Sequence, residues 1–227
     1  MNATDGDTSS VGTAARRRVE RLCRTTVQEA GVDGCGLSAL TGAGTPLALY
    51  ATNRVAAVIE ELQFTLGEGP CMDAAASGVP VLVSDLRDPS EGIAGRWPAF
   101  LDEADQAGVR AVFAFPVRIG AIALGVMDLY RSKPGGLSQD QISTTFSTVD
   151  AMSRSMLDWE RTPPDEPDQS YPLTVHQAAG IAMVQLDTSI EEALVRLRAT
   201  AYRAGRPVSE LAADVVAGRY TFAEEQT

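Results

Sequence analysis

Few residues of this chain have the chemistry for a reacting centre, and they stand apart. Cys71 ends the stretch LGEGPC, in which two glycines flank an acid and a proline precedes the thiol at the head of a short helical pattern. A helix N-terminus lowers a thiol pKa, but a cysteine nucleophile also needs a base, usually histidine. The one histidine, His176, lies beyond a proline-rich stretch. Gly67, Gly69 and Pro70 match neither G-x-x-x-x-G-K-[ST] nor G-x-G-x-x-G, and no lysine or hydroxyl stands ready for a phosphate. Cys23, Cys35 and Cys71 are odd in number and have no C-x-x-C spacing, so neither a disulfide framework nor a metal centre is expected. Asp85 is a lone strand-end acid, not the acidic pair of a phosphorelay receiver. Cys71 therefore reads as a small buried residue starting a helix, with a thiol sensor as the sharper alternative. The chain is not expected to be an enzyme.

The 227 residues carry a formal charge of -11, and 44% are hydrophobic. An acidic surface repels phosphate backbones and anionic lipid, so nucleic-acid binding would need a local patch. No apolar run reaches the ~18–20 residues of a membrane helix, and Arg16–Arg18 precede no signal-peptide core. A cytoplasmic protein with reduced thiols is expected.

Residues 1–12 are small and polar, with the composition of a disordered tail. Val19, Leu22, Cys23, Thr26 and Ala30 then mark one helical face. Two strands around TGAGTP follow, then a helix in RVAAVIEELQF, the LGEGPC loop with its short helix, and a strand in VPVLVSDL. WPAFLDEADQAG is a helix, and VFAFPVRI and AIALGVMDLYR are paired strands, with Pro116 predicting an edge or a bulge. This order predicts an α+β domain over 13–160, with a largely antiparallel sheet flanked by helices. Ser138 and Gln141 form a capping box for a closing helix. On it Ile142, Thr145, Val149, Met152, Met156 and Trp159 recur at coiled-coil spacing. The stripe is either a dimer seam or a face lying on its own domain. RTPPDEPDQSYP, within 161–172, reads as a semi-rigid linker.

Residues 173–227 read as three short helices. Thr174 with Gln177 and Ser189 with Glu192 supply capping boxes, and apolar stripes run through Val175–Leu186, Ile190–Ala201 and Val208–Val216. From Tyr171 onward five arginines stand against seven acids, so this segment is less acidic than the rest. Arg196, Arg198, Arg203 and Arg206 cluster in or just after the second helix. Arginine forks onto phosphate and stacks on bases; it also serves as a solvated partner for Glu191 and Glu192.

The stretch HQAAGIAMVQLDTSIEEALVRLRATAYRAGRPVSELAADVV resembles the ANTAR domain, a three-helix RNA-binding module of bacterial antiterminators. The resemblance rests on Ala178, Gly180, Met183, Glu192-Ala193, Leu197-Arg198, Ala201, Leu211-Ala212 and Val215-Val216. Two departures stand out: Ala179 sits where the family usually has lysine, and Gln185 lies near a position that is often basic. Residues 15–160 resemble a GAF domain, through LGEGPC before a helix, VPVLVSDL, and the pair FAFPVRIGAIALGVMDLYR. Together they imply a regulator of transcription termination that binds tandem RNA stem-loops as a homodimer. Arg198, Arg196 and Arg203 would contact RNA, and Gln177 and Gly180 would be exposed or close-approach positions. Cys71 would lie at the sensor pocket. No cofactor is implied, and the identity of any small-molecule effector stays open. The alternative is a dimeric sensor whose C-terminal bundle binds protein, favoured by Ala179 and the acidic charge.

Overall fold

The computed structural model describes residues 5–40, 44–93, 95–161 and 171–222, with the backbone alone described for 5–13, 159–161 and 171–173. The chain enters as helix α1 (Asp5–Glu29), followed by the hairpin strands β1 (Gly34–Leu40) and β2 (Pro46–Ala51). Helices α2 (Arg54–Leu66) and α3 (Pro70–Ser77) lead to the short strand β3 (Val81–Val83). A 3-10 turn at Pro89–Glu91 and helix α4 (Pro98–Gln106) precede the long hairpin β4 (Ala111–Ile119) and β5 (Ile122–Arg131). Helix α5 (Gln139–Arg161) closes this part. Then come α6 (Tyr171–Leu186), α7 (Ile190–Arg203) and α8 (Val208–Val216).

The five strands form one antiparallel sheet in the order β2-β1-β5-β4-β3. Side chains alternate across it. Cys35, Leu37, Phe113, Phe115, Met127 and Leu129 face α1 and α5. On the other face, Val112 and Tyr130 pack with α2 and α4, and Ala114 and Val126 pack with Cys71 and Ala74 of α3. Asp128 falls between Met127 and Leu129, so the central strand β5 turns it under α2 and α3.

Pro116 is accommodated as the sequence predicts. β3 pairs with β4 only from Val112 to Ala114, which leaves Pro116 paired on the β5 side alone, and a bulge follows at Val117/Arg118. The α5 capping box also forms: Gln141 N donates to Ser138 Oγ (3.2 Å), and Ser138 N donates to Gln141 Oε1 (2.8 Å).

Three expectations change. Residues 5–12 form the first turns of α1 instead of a disordered tail. Extending a helix that is already nucleated costs far less than starting one. α6 begins at Tyr171, so Thr174 and Gln177 lie inside it and do not cap it; Pro172, in the first turn, suits a helix start. The linker expected at 161–172 lies mostly outside the described residues, and its two ends are taken into α5 and α6. The coiled-coil stripe packs within its own chain. Val149, Met152 and Met156 are buried against the sheet, Thr145 is buried and Ile142 is half-buried, while the Trp159 side chain lies outside the described residues. The side chains of Val149, Met152 and Met156 thus cover the sheet of their own domain, the second of the two readings that the spacing allows. Among the described residues no helix is long and apolar enough to cross a membrane.

Candidate functional site

In the C-terminal bundle α7 is the helix that divides its charges. Its stripe Ala193, Leu197 and Ala201 is fully buried against α6 and α8. Arg196 and Arg203, seven residues apart, return to nearly the same helical face. Both are exposed, and they line an open groove with Thr188, Ser189, Glu192 and Thr200. Arg196 Nε donates to Glu192 Oε1 (3.0 Å) and Arg203 Nη2 to Thr200 Oγ1 (3.2 Å). Ser189 caps the helix, accepting from Glu192 N at 3.2 Å. The groove therefore offers two guanidinium forks, hydroxyls and a helix start, the donor set that suits phosphate.

Arg198 points elsewhere. It is half-buried, with its guanidinium carbon 4.4 Å from the ring centre of Phe64 on α2. Phe64 is 2% exposed and belongs, with Leu47 of β2, to the same apolar cluster as Val175, Ala178, Leu197 and Leu211. One turn earlier on α2, Glu61 Oε1 accepts from Ser209 Oγ of α8 at 2.5 Å. The structure thus brings together two of the three expected arginines and sets the third against the sensor domain. Gln177 is exposed on α6, and a Cβ at Gly180 would meet nothing within 4 Å in the chain, so no internal packing demands glycine there. The two departures from the family pattern have local reasons. Ala179 is 1% exposed, a position where a lysine ammonium would be desolvated. Gln185 Oε1 is engaged by Phe222 N (3.0 Å).

In the sensor domain the LGEGPC loop is a hinge between two helices. Gly67 ends α2 in the left-handed conformation (φ 70°), and Gly69 opens α3 at φ 129°. Glu68 Oε1 accepts from Phe100 N (2.8 Å), tying the loop to α4. Cys71 is 2% exposed, and its amide donates to Gln63 Oε1 at 2.7 Å. Burial, with Asp128 and Glu60 nearby, pushes its thiol pKa well up. A buried protonated thiol without a histidine is no nucleophile.

Beside Cys71 the fold gathers residues that sequence reasoning missed. Glu60 of α2 and Asp128 of β5 are 3% and 7% exposed. Burial raises Asp128 to about 6, and burial followed by Asp128 itself raises Glu60 well above the usual carboxylate range. Ser38 donates to Glu60. A small cavity next to them is lined by Gly36, Ile59, Glu60, Gln63, Pro70 and Asp128. A signal was present in the sequence: Asp128 interrupts the apolar run from Ile122 to Leu129, and Glu60 and Gln63 fall one turn apart on one face of α2.

The geometry is that of a sensory α+β domain carrying a helical output module. A GAF domain model matches residues 13–155, and an ANTAR domain model matches residues 173–216. The chain belongs to the GAF family and carries an ANTAR domain after the GAF domain, both regulatory rather than catalytic types, the second an RNA-binding family. Among solved structures, the GAF domain region of a protein from Geobacter sulfurreducens PCA is similar at 13% identity and TM-score 0.54, over 65% of this chain and 96% of that one. The GAF domain of an Acinetobacter phosphoenolpyruvate-protein phosphotransferase gives 12%, 0.49, 71% and 98%. A type II free methionine-R-sulfoxide reductase from Thermoplasma acidophilum gives 17%, 0.48, 66% and 96%. The Geobacter likeness shows the fold of the sensor part. No curated protein matches the chain.

Proposed function

We propose that this protein is a cytoplasmic regulator that binds stem-loops in nascent RNA through its ANTAR bundle and so controls transcription termination, with the GAF domain setting whether the bundle is free to bind. The observation that carries this reading is the division of α7: Arg196 and Arg203 line an open groove while Arg198 is held on Phe64 of the sensor domain. Arg196 and Arg203 supply the first phosphate contacts, and Gln177 and Gly180 form the approach surface of α6. Parting α7 from α2 frees Arg198 to stack or fork onto RNA. Tandem stem-loops call for two bundles and hence two copies of the chain, held by a surface other than the α5 stripe. Linking the two sites raises affinity through effective concentration, which an acidic protein needs.

The test is crosslinking in the native cell, followed by titration of a recovered RNA with purified full-length protein at several salt concentrations. Wild type should enrich leaders with paired stem-loops ahead of terminators. The double variant Arg196→Ala/Arg203→Ala should bind more weakly and lower the log affinity–log salt slope by about 1 to 2. The reading fails if wild type recovers no RNA above background, or if binding is insensitive to salt, as for an apolar protein interface.

A further inference from the structure

The carboxylates under α2 and α3 pose a problem that the regulatory reading does not solve. An oxygen from each of Glu60 and Asp128 and the sulfur of Cys71 all lie within 4.8 Å of one another. Glu60 Oε1, both oxygens of Asp128 and Gln63 Nε2 are buried without a hydrogen-bond partner. The main groups acting on the two acids are carboxyl, thiol, hydroxyl and amide groups, none of them cationic. An uncompensated buried charge costs several kcal/mol.

Protons or a metal ion could neutralise the cluster. Protonation removes the charge, with Cys71, Glu60 and Gln63 all close enough to Asp128 to donate toward it, but none of these contacts reaches full hydrogen-bond geometry, so the buried oxygens are poorly satisfied by protons alone. An ion between them would engage one oxygen of each carboxylate together with the Cys71 sulfur. Any three atoms so spaced share a point within about 2.8 Å of each, and closing that to the ~2.0–2.3 Å of a metal bond takes about half an ångström per side chain. The space is also built. A Cβ at Gly36 would stand 2.2 Å from Glu60 Oε1, and one at Gly69 would stand 2.8 Å from Gln63 Oε1, so both glycines admit side chains of the cluster. Gln63 is oriented by its bond from the Cys71 amide, which commits Oε1 and leaves Nε2 to donate into the cluster.

We propose that the sensor core binds one divalent transition-metal ion through Glu60, Cys71 and Asp128, with Gln63 Nε2 donating to a water in the fourth position. One thiolate with two carboxylates suits zinc or ferrous iron; the thiolate disfavours magnesium and calcium, and the carboxylates disfavour cuprous copper. As the ion enters, the thiol proton and any carboxyl protons leave to solvent, and no electron is transferred. Histidine and cysteine spacing along the chain does not reveal such a site, because its ligands come from three separated elements. The site is independent of the RNA reading.

Full-length protein treated with chelator and then titrated anaerobically with Co(II) alone tests the site. One Co(II) per chain should bind, with a thiolate-to-cobalt charge-transfer absorption that Zn(II) abolishes by displacement. Cys71→Ser should lose the absorption. Asp128→Asn and Glu60→Gln, near-isosteric and checked for native circular dichroism, should each bind at least tenfold more weakly. Failure of wild type to bind stoichiometrically, persistence of the absorption in Cys71→Ser, or unchanged affinity in both folded carboxyl variants each overturns the proposal.

Discussion

The output bundle and the core of the sensor domain handle negative charge in opposite ways. The output bundle keeps it at the surface beside arginine: Asp214 accepts from Arg206 (2.7 Å) and Arg219 (2.8 Å), and Glu192 pairs with Arg196. The sensor domain buries Glu60 and Asp128 with no cation among the groups that act on them. Solvated ion pairs of the first kind are cheap and add little stability. Buried acids of the second kind cost stability, and a fold retains them at a loss unless something binds them. Helix α2 spans both regimes, with Glu60 and Gln63 facing inward to the sheet and Glu61 and Phe64 facing outward to the bundle.

The largest expected effect comes from breaking the outward face. Phe64→Ala removes a fully buried ring shared by the two domains and should cost about 3 kcal/mol in chemical denaturation. It also removes the surface under Arg198, so RNA affinity should rise even as stability falls. If affinity and stability fell together, with the variant still folded at the assay temperature, α2 would not be restraining the bundle.

A pH series sharpens the contrast, because the two acids shift in opposite directions. Asp128 is raised from 3.8 to about 6, so in chelator-treated protein its contribution to stability is present below pH 4 and is lost as pH rises to about 6. Asp214 is lowered by its hydrogen bonds from Arg206 and Arg219, so its contribution is present above pH 4 and is lost on further acidification. Denaturant midpoints should show Asp128→Asn flattening the decline between about pH 4 and 6, and Asp214→Asn softening the acid limb. Matching profiles for the two variants would remove the distinction.

The smallest effect is at Gly180. With no neighbour to meet a methyl group, Gly180→Ala should stabilise α6 by about 1 kcal/mol through helix propensity. If the position is a close approach to RNA, affinity should drop in the same variant. A stabilised bundle with unaltered RNA binding would remove Gly180 from the interface.

Much of this was legible along the chain because it is governed by local chemistry. Periodicity placed the helices and strands, the Ser138–Gln141 box capped α5 as expected, and the ANTAR pattern was readable from side chains that pack its own three helices. The α5 stripe shows where that reading stops. Spacing states that Val149, Met152 and Met156 share a face but not what covers it, and here the cover is the chain's own sheet. Likewise, Arg196, Arg198 and Arg203 look equivalent in sequence, and only the docking of α2 separates one from the other two. The acids at 60 and 128 lie 68 positions apart, and the thiol that joins them comes from a third element. Their individual types are set by the sequence. Their convergence depends on strand order and on the pleat that turns Asp128 away from Met127 and Leu129, which are properties of the folded sheet and not of any segment within it.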